Sequence, residues 1–338
     1  MSQTANLVAA AVLTIAANSN VAIGQAPPPS ILTVDLANYV EYQADTYDPS
    51  TYAKNPNPTP SAGTGGFGVA TIIADIVAVN GQPAKGLYVG RSRVVNTSPT
   101  PPQGTAIADI TATALREHAF EILQPDGTPI GTIMSMGFSG GPVPPGAPSG
   151  PVGGNWAIVG GTGAFLGARG QIAGWGGTQF AKGQSASMAE DPVNRRAYHQ
   201  AGIFRFTLQI IPMSWPEIVT TPNGPAITHS SDFTLVSASK PATAGEMLSL
   251  FAKGLGPLNP SVDPGAPFPS TPTAVVNSPV QVTVNGKPAE VLGSVGYPGS
   301  VDGYQVNFRL PPDTPKGNAV IQTVAAWIAG PTVSIAVR

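Results

Sequence analysis

The sequence contains no cysteine, which excludes disulfides, thiolate nucleophiles and Cys-ligated zinc. Charge is scarce as well. Charged residues make up 10% of the chain and the formal net charge is −2, against a usual charged share of ~25%. Nothing in this balance draws the chain to nucleic acid or to an anionic membrane, so neither is expected as a partner. Its surface must be covered mostly by Ser, Thr, Asn, Gln, Gly and Pro, as is common where a protein faces the outside of a cell. There are only three histidines, His118, His199 and His229. They form neither an HExxH motif nor a short pair that would suggest zinc, and each reads as a structural or surface imidazole. No G-x-S-x-G elbow is present. The Gly160–Gly163 run lacks the Lys and Ser/Thr of a phosphate-binding loop and opens a strand, not a helix. No cofactor and no metal are expected.

What is abundant is glycine and proline. Gly 40 and Pro 37 approach a quarter of the 338 residues, yet 42% of the chain is hydrophobic, which argues for many short strands joined by turns and against disorder. The length suggests two domains. No long stretch carries a helical period with capping signals, so the chain is read as all-β. Leu7 to Ala17 is an apolar run followed by Asn18-Ser19-Asn20 and Gly24-Gln25-Ala26, too short to span a bilayer and suited to a signal h-region with a small-residue cleavage site. Its flank Met1 to Asn6 has no Lys or Arg, and an ordinary disordered or helical N-terminus is the alternative. Residues 1–26 are read as a signal peptide of a secreted or cell-surface protein, with no integral membrane segment in the mature chain.

Ile31 to Tyr42 alternates as a strand, and Asp45 to Gly66 is a loop. Phe67 to Val79 leads into Asn80-Gly81, the strongest short hairpin signal, and Leu87 to Asn96 pairs back. In Thr105 to Thr113, Ile107, Asp109 and Thr111 share one side and small residues the other. Leu115 to Leu123, the turn Pro125-Asp126-Gly127-Thr128 and Ile130 to Phe138 form a hairpin whose return strand aligns Ile130, Thr132, Met134, Met136 and Phe138 as a core stripe. The stretch Asn155 to Ala173 reads as strand, glycine turn at Gly160–Gly163, and strand resuming at Phe165. In Gly202 to Pro212, Phe204, Phe206, Leu208 and Ile210 face one way. Seven or eight antiparallel strands can close on themselves and abolish their edges, so 31–213 is read as one small barrel.

The segments Gly86-Leu87-Tyr88-Val89-Gly90-Arg91-Ser92, His118 to Phe138 and above all Ile158 to Ala173 resemble the dirigent proteins, which belong with the allene oxide cyclases to one barrel superfamily. The resemblance spans about 67–212 and implies an antiparallel eight-stranded barrel. It also implies a cavity lined by apolar and aromatic side chains with a few ionisable groups, and frequent trimeric assembly. Arg169 matches the Ala-Arg-Gly of the signature hairpin. Ala164 stands where several plant members carry an acidic residue implicated in acid catalysis, which speaks against a plant-like mechanism.

Residues 214–239, with Pro216, Pro222 and Pro225, read as a linker. Beyond them, alternating segments at Met247–Lys253, Val280–Asn285, Ala289–Gly296, Tyr304–Leu310, Asn318–Trp327 and Thr332–Val337 suggest an immunoglobulin-like sandwich over 240–338. Gly254-Leu255-Gly256-Pro257, Val282 to Ala289 and Tyr304 to Pro311 resemble a C-terminal module of secreted bacterial proteins related to IPT/TIG domains. Such modules usually serve as spacers, contacts or surface-attachment units.

Candidate chemistry falls on Arg169 with Asp75, Asp109 and Glu121, carboxylates set among apolar strand neighbours, where burial would raise their pKa toward general-acid use; exposure on the outer wall is the alternative for the carboxylates, and holding the hairpin or a subunit interface the alternative for Arg169. Phe204, Phe206, Leu208, Met134 and Met136 are the candidate barrel lining for a small apolar ligand. Three functions remain open: a ligand-holding secreted barrel with a contact module, a cofactor-free cyclase or isomerase, and a purely structural surface protein.

Overall fold

The structure is a computed structural model that describes residues 29–45, 66–96, 112–139, 155–175, 184–187 and 202–338. The segment 1–26 read as a signal peptide, Asp109 and His199 lie outside them. All regular structure in the described residues is β, and among them no helix is long and apolar enough to cross a membrane. Eight strands form the first domain: β1 (Ser30–Asp45), β2 (Gly66–Val79), β3 (Lys85–Asn96), β4 (Ala112–Leu123), β5 (Pro129–Ser139), β6 (Asn155–Gly163), β7 (Arg169–Trp175) and β8 (Gly202–Ile211). Each pairs antiparallel with the next, and β1 pairs with both β2 and β8, so the sheet closes into a barrel.

Strict alternation fills the lumen. Leu32, Val34 and Leu36 of β1, Ile72, Ala74 and Ile76 of β2, and Phe204, Phe206, Leu208 and Ile210 of β8 are all buried, the period-2 pattern that puts one set of side chains inside. At one mouth the strands are joined by tight turns. Asn80 and Gly81 take φ of 49° and 73°, the mirror-image turn that matches strand twist. The Asn80 side chain accepts from Thr33 N at 2.7 Å, which ties this turn to β1.

Two features differ from the alternation expected of the sequence. The reversal between β6 and β7 lies at residues 164–168, not at Gly160–Gly163, which continue the strand. Phe165 buries its ring there, and Gly161 lets the turn fold back, because a Cβ would sit 2.3 Å from Phe165 O and 2.7 Å from Thr132 O. The stripe on β5 is also broken. The β4–β5 register slips between Ile122 and Leu123, so Ile130 points inward and then Ile133 and Ser135 do, while Met134 and Met136 face out, 41% and 42% exposed. One bulged residue moves every later side chain to the other face.

The second domain is a nearly closed sheet with its own core. Its strands are β9 (Glu217–Ile218), β10 (Ile227–His229), β11 (Met247–Lys253), β12 (Val275–Val276), β13 (Val280–Val284), β14 (Lys287–Gly296), β15 (Tyr304–Arg309), β16 (Gly317–Ala325) and β17 (Ile328–Val337). The sheet runs β9-β11-β15-β14-β13-β16-β17, with β10 on β11 and β12 on β14. Residues read as a linker therefore belong to this domain: β9 and β10 hydrogen-bond to β11, and His229 is buried. Strands of two and three residues are too short to show a period, and the prolines between them mark turns.

The two domains meet at the turn-bearing mouth of the barrel. Ala326 and Ile328, on either side of the β16–β17 turn, join the barrel core cluster, with Trp215 and Trp327 packed against it. Trp327 Nε1 donates to Gln82 Oε1 at 3.0 Å and Asn277 Nδ2 to Pro129 O at 3.1 Å, while Gln124 Nε2 donates to Asn277 O.

Glycine requirements differ sharply between neighbouring positions. Gly170 has φ of 139° and a Cβ there would lie 1.9 Å from Gln209 O, whereas at Gly160 the nearest atom is Met134 Cε at 3.8 Å. Gly170→Ala is expected to cost roughly 3 kcal/mol through overpacking against backbone, and Gly160→Ala to stay within about 0.5 kcal/mol of the parent. Urea unfolding of both variants checks this; equal losses would contradict the placement of the β6–β7 hairpin.

Candidate functional site

The barrel interior changes character along its axis. Nearest the turn-bearing mouth it holds Ile122, Ile130 and Ala84. Farther along the same strands come Phe120 and Tyr88, and beyond them His118, Ser135 and Ser92. The aromatic layer is continuous: Tyr39 stacks on Phe204 at 5.0 Å, and tilted ring contacts join Phe204 to Phe206 at 4.9 Å and Tyr88 to Phe120 at 5.0 Å and to Phe206 at 5.2 Å. Such ring pairs stabilise a core beyond their buried area. Gly90 lies between Tyr88 and Ser92 on β3 and opposite His118. A Cβ there would come 2.7 Å from the Tyr88 hydroxyl, so the absent side chain gives that hydroxyl its place.

His118 packs within this aromatic layer, its ring 4.5 Å from that of Trp156 and 5.7 Å from that of Phe206. Its Nδ1 lies 2.7 Å from the Tyr88 hydroxyl. Burial, reinforced by the nearby Arg116 guanidinium, pushes the imidazole pKa down to about 3, so the ring is neutral at physiological pH. Among the described residues its Nε2 has no hydrogen-bond partner, nor do the Oγ atoms of Ser92 and Ser135. Exposures of 1%, 3% and 2% for Ser92, His118 and Ser135 place all three inside the wall. Ser135 is directly opposite His118 in the β4–β5 register, and Ser92 is opposite Arg116 across β3–β4. A buried polar atom without a partner costs about 1–3 kcal/mol, and such groups are few in native interiors.

Of the residues expected from the sequence to carry chemistry, Arg169, Asp75 and Glu121 are not brought together, and Asp109 lies outside the described residues. Arg169 is exposed, and its Nη1 donates to the carbonyl oxygens of Val159 at 2.8 Å, Ala168 at 3.0 Å and Gly167 at 3.4 Å, so it binds the hairpin backbone. Glu121 is exposed on β4, on the face opposite Phe120 and Ile122. Asp75 lies on the outer side of β2, half-buried, where it accepts from Asn38 Nδ2 at 2.5 Å. In each case the strand parity that buries the apolar neighbours turns the charge outward. Phe204, Phe206 and Leu208 do point into the lumen, whereas Met134 and Met136 are on the outer wall. Tyr88, Ser92, Arg116, His118, Ser135 and Trp156 were not anticipated as a group. A signal did exist: Arg116 and His118 share the parity of Phe120 and Ile122, and Ser92 shares that of Tyr88.

Two measurements follow from this geometry. The folded pKa of His118 lies below its unfolded value near 6.5, so the unfolded chain takes up the proton first. Its contribution to stability is complete above about pH 6.5 and is lost as pH falls toward 3, with a slope of up to about 1.4 kcal/mol per pH unit. Between pH 6.5 and 5, His118→Gln should flatten the fall in unfolding free energy; an unchanged slope would place the imidazole in water. Arg169→Ala should cost about 1 kcal/mol in a thermal or urea melt, the worth of the hydrogen bonds it makes to the hairpin, and leave the NMR signals of Tyr88 and His118 unmoved. No protein-family model and no curated protein matches this chain.

Proposed function

We propose that this chain is an extracytoplasmic, dirigent-like barrel protein that holds a small, largely apolar molecule in its lumen. An immunoglobulin-like module related to IPT/TIG domains serves its contacts outside the cell. The observation that carries this reading is the pairing, inside one closed barrel, of an aromatic layer with buried polar atoms of Ser92, His118 and Ser135 that have no hydrogen-bond partner among the described residues. A barrel selected only for stability would fill those positions with apolar side chains, because each unpaired atom weakens the fold. Apolar lining with a few convergent polar groups is the usual make-up of a small-molecule site.

A cofactor-free cyclase or isomerase would need an enclosed carboxylate beside Arg169. Among the described residues Arg169 and Glu121 are exposed and Asp75 faces outward, so these three give that alternative no support. The imidazole of His118 is also too weak a base at neutral pH to serve alone in proton transfer.

Native mass spectrometry of the purified full chain tests the proposal. A small molecule should leave on denaturation, and its return to stripped protein should shift the NMR signals of Tyr88, His118 and Trp156. A chain that carries nothing, or shifts confined to outer-wall residues such as Met134 and Met136, would support a purely structural role instead.

A further inference from the structure

The proton count around His118 restricts what the lumen can receive. Tyr88 Oη and His118 Nδ1 are 2.7 Å apart, and both residues are buried. One proton lies between them. A phenol is the better acid and a neutral imidazole nitrogen the better acceptor, which favours the Tyr88 hydroxyl as donor and Nδ1 as acceptor. The single proton of a neutral imidazole must then sit on Nε2. That atom has no acceptor among the described residues, and so it is an unmet donor there.

The neighbouring groups have the same character. Ser135 is cross-strand partner to His118, and Ser92 lies one inward position along from Gly90, the partner of His118 on the other side. Their hydroxyls, also without partners, can donate alongside Nε2. Arg116 adds positive potential close enough to bear on the His118 ring. Trp156 and Phe206 meet that ring edge-to-face at 4.5 and 5.7 Å, so the surroundings of these donors are aromatic and favour a flat, apolar ligand body.

We infer that the lumen recognises a planar, largely apolar ligand through an oxygen that accepts hydrogen bonds, a carbonyl or a carboxylate, held by His118 Nε2–H with the hydroxyls of Ser92 and Ser135. This deepens the proposal of a lumen-binding barrel and rests on it. Within such a site a matching acceptor meets buried donors that a hydrocarbon leaves unpaired, and it is this contrast that gives specificity.

Three matched probes, 2-ethylnaphthalene, 2-acetylnaphthalene and 2-naphthoate, test it on the full chain by titration calorimetry and NMR. The ketone should bind at least roughly tenfold more tightly than the hydrocarbon, the effect of one well-made buried hydrogen bond, and His118→Phe and Ser135→Ala should each reduce that preference. The naphthoate identifies the oxygen: tighter binding than the ketone assigns a carboxylate, weaker binding an uncharged carbonyl. Equal affinity for ketone and hydrocarbon overturns this inference but leaves a lumen-binding barrel intact, whereas failure of all three to shift lumen signals overturns both. A measurement without any variant is the 15N tautomer of His118 in the unliganded chain. Protonated Nε2 is expected, and a proton on Nδ1 overturns the assignment of a donor.

Discussion

Everything in the first domain depends on β1 pairing antiparallel with two long strands, to which Gln184–Ser187 adds a short parallel pairing. Ser30–Asp45 pairs with β8 over residues 202–210 and with β2 over residues 68–79, so the sheet has no free edge and its inner face has nowhere to go but the lumen. Closure fixes parity around the whole circle: once Val34 and Phe206 face in, the inward set of every other strand is determined. The Asp35–Arg205 ion pair sits on the outer side of this seam. Being exposed, it adds little; backbone pairing and the buried Leu32, Val34 and Leu36 hold the seam.

Closure also explains why polar groups in the lumen matter. A closed barrel of eight strands is just wide enough for side chains to fill, and here rings fill its middle. Toward the turn-bearing mouth the filling is mostly aliphatic, with the ring of Phe165 buried there. Farther along, Ser92, His118 and Ser135 replace apolar residues, in a low-dielectric setting where a neutral imidazole is the only stable form. Tyr88 meets one nitrogen of that ring; the other is left. The barrel thus gives up stability at one level of its axis while gaining it at every other level.

The second domain is tied to the same architecture. Its β16–β17 turn inserts Ala326 and Ile328 into the barrel core, and Ala326 and Trp327 adopt φ of 47° and 62° to do so. Left-handed backbone is unfavourable for residues with bulky side chains, and burial of Ala326 and Ile328 together with the Trp327–Gln82 hydrogen bond offsets that cost. One mouth of the barrel is therefore covered by protein, and the polar level lies toward the opposite ends of the strands.

Local chemistry was legible in the residues themselves. Asn80-Gly81 and Asn285-Gly286 dictate their turns, alternation in β1, β2 and β8 dictates an inward face, and proline and glycine between short apolar runs dictate an all-β chain. Where one residue decided the outcome, local pattern was not enough. The slip beside Leu123 reversed Met134 and Met136. The segment around His229 was too short to reveal its pairing with β11, and Arg169, Asp75 and Glu121 looked chemical although parity turned them outward. Sequence alone determined the kind of structure and most of its strands, because turn preference and period-2 burial are local properties. Only the tertiary structure decided that Tyr88, Ser92, His118 and Ser135, spread over three strands, share one buried level, because closure and strand register bring distant residues together.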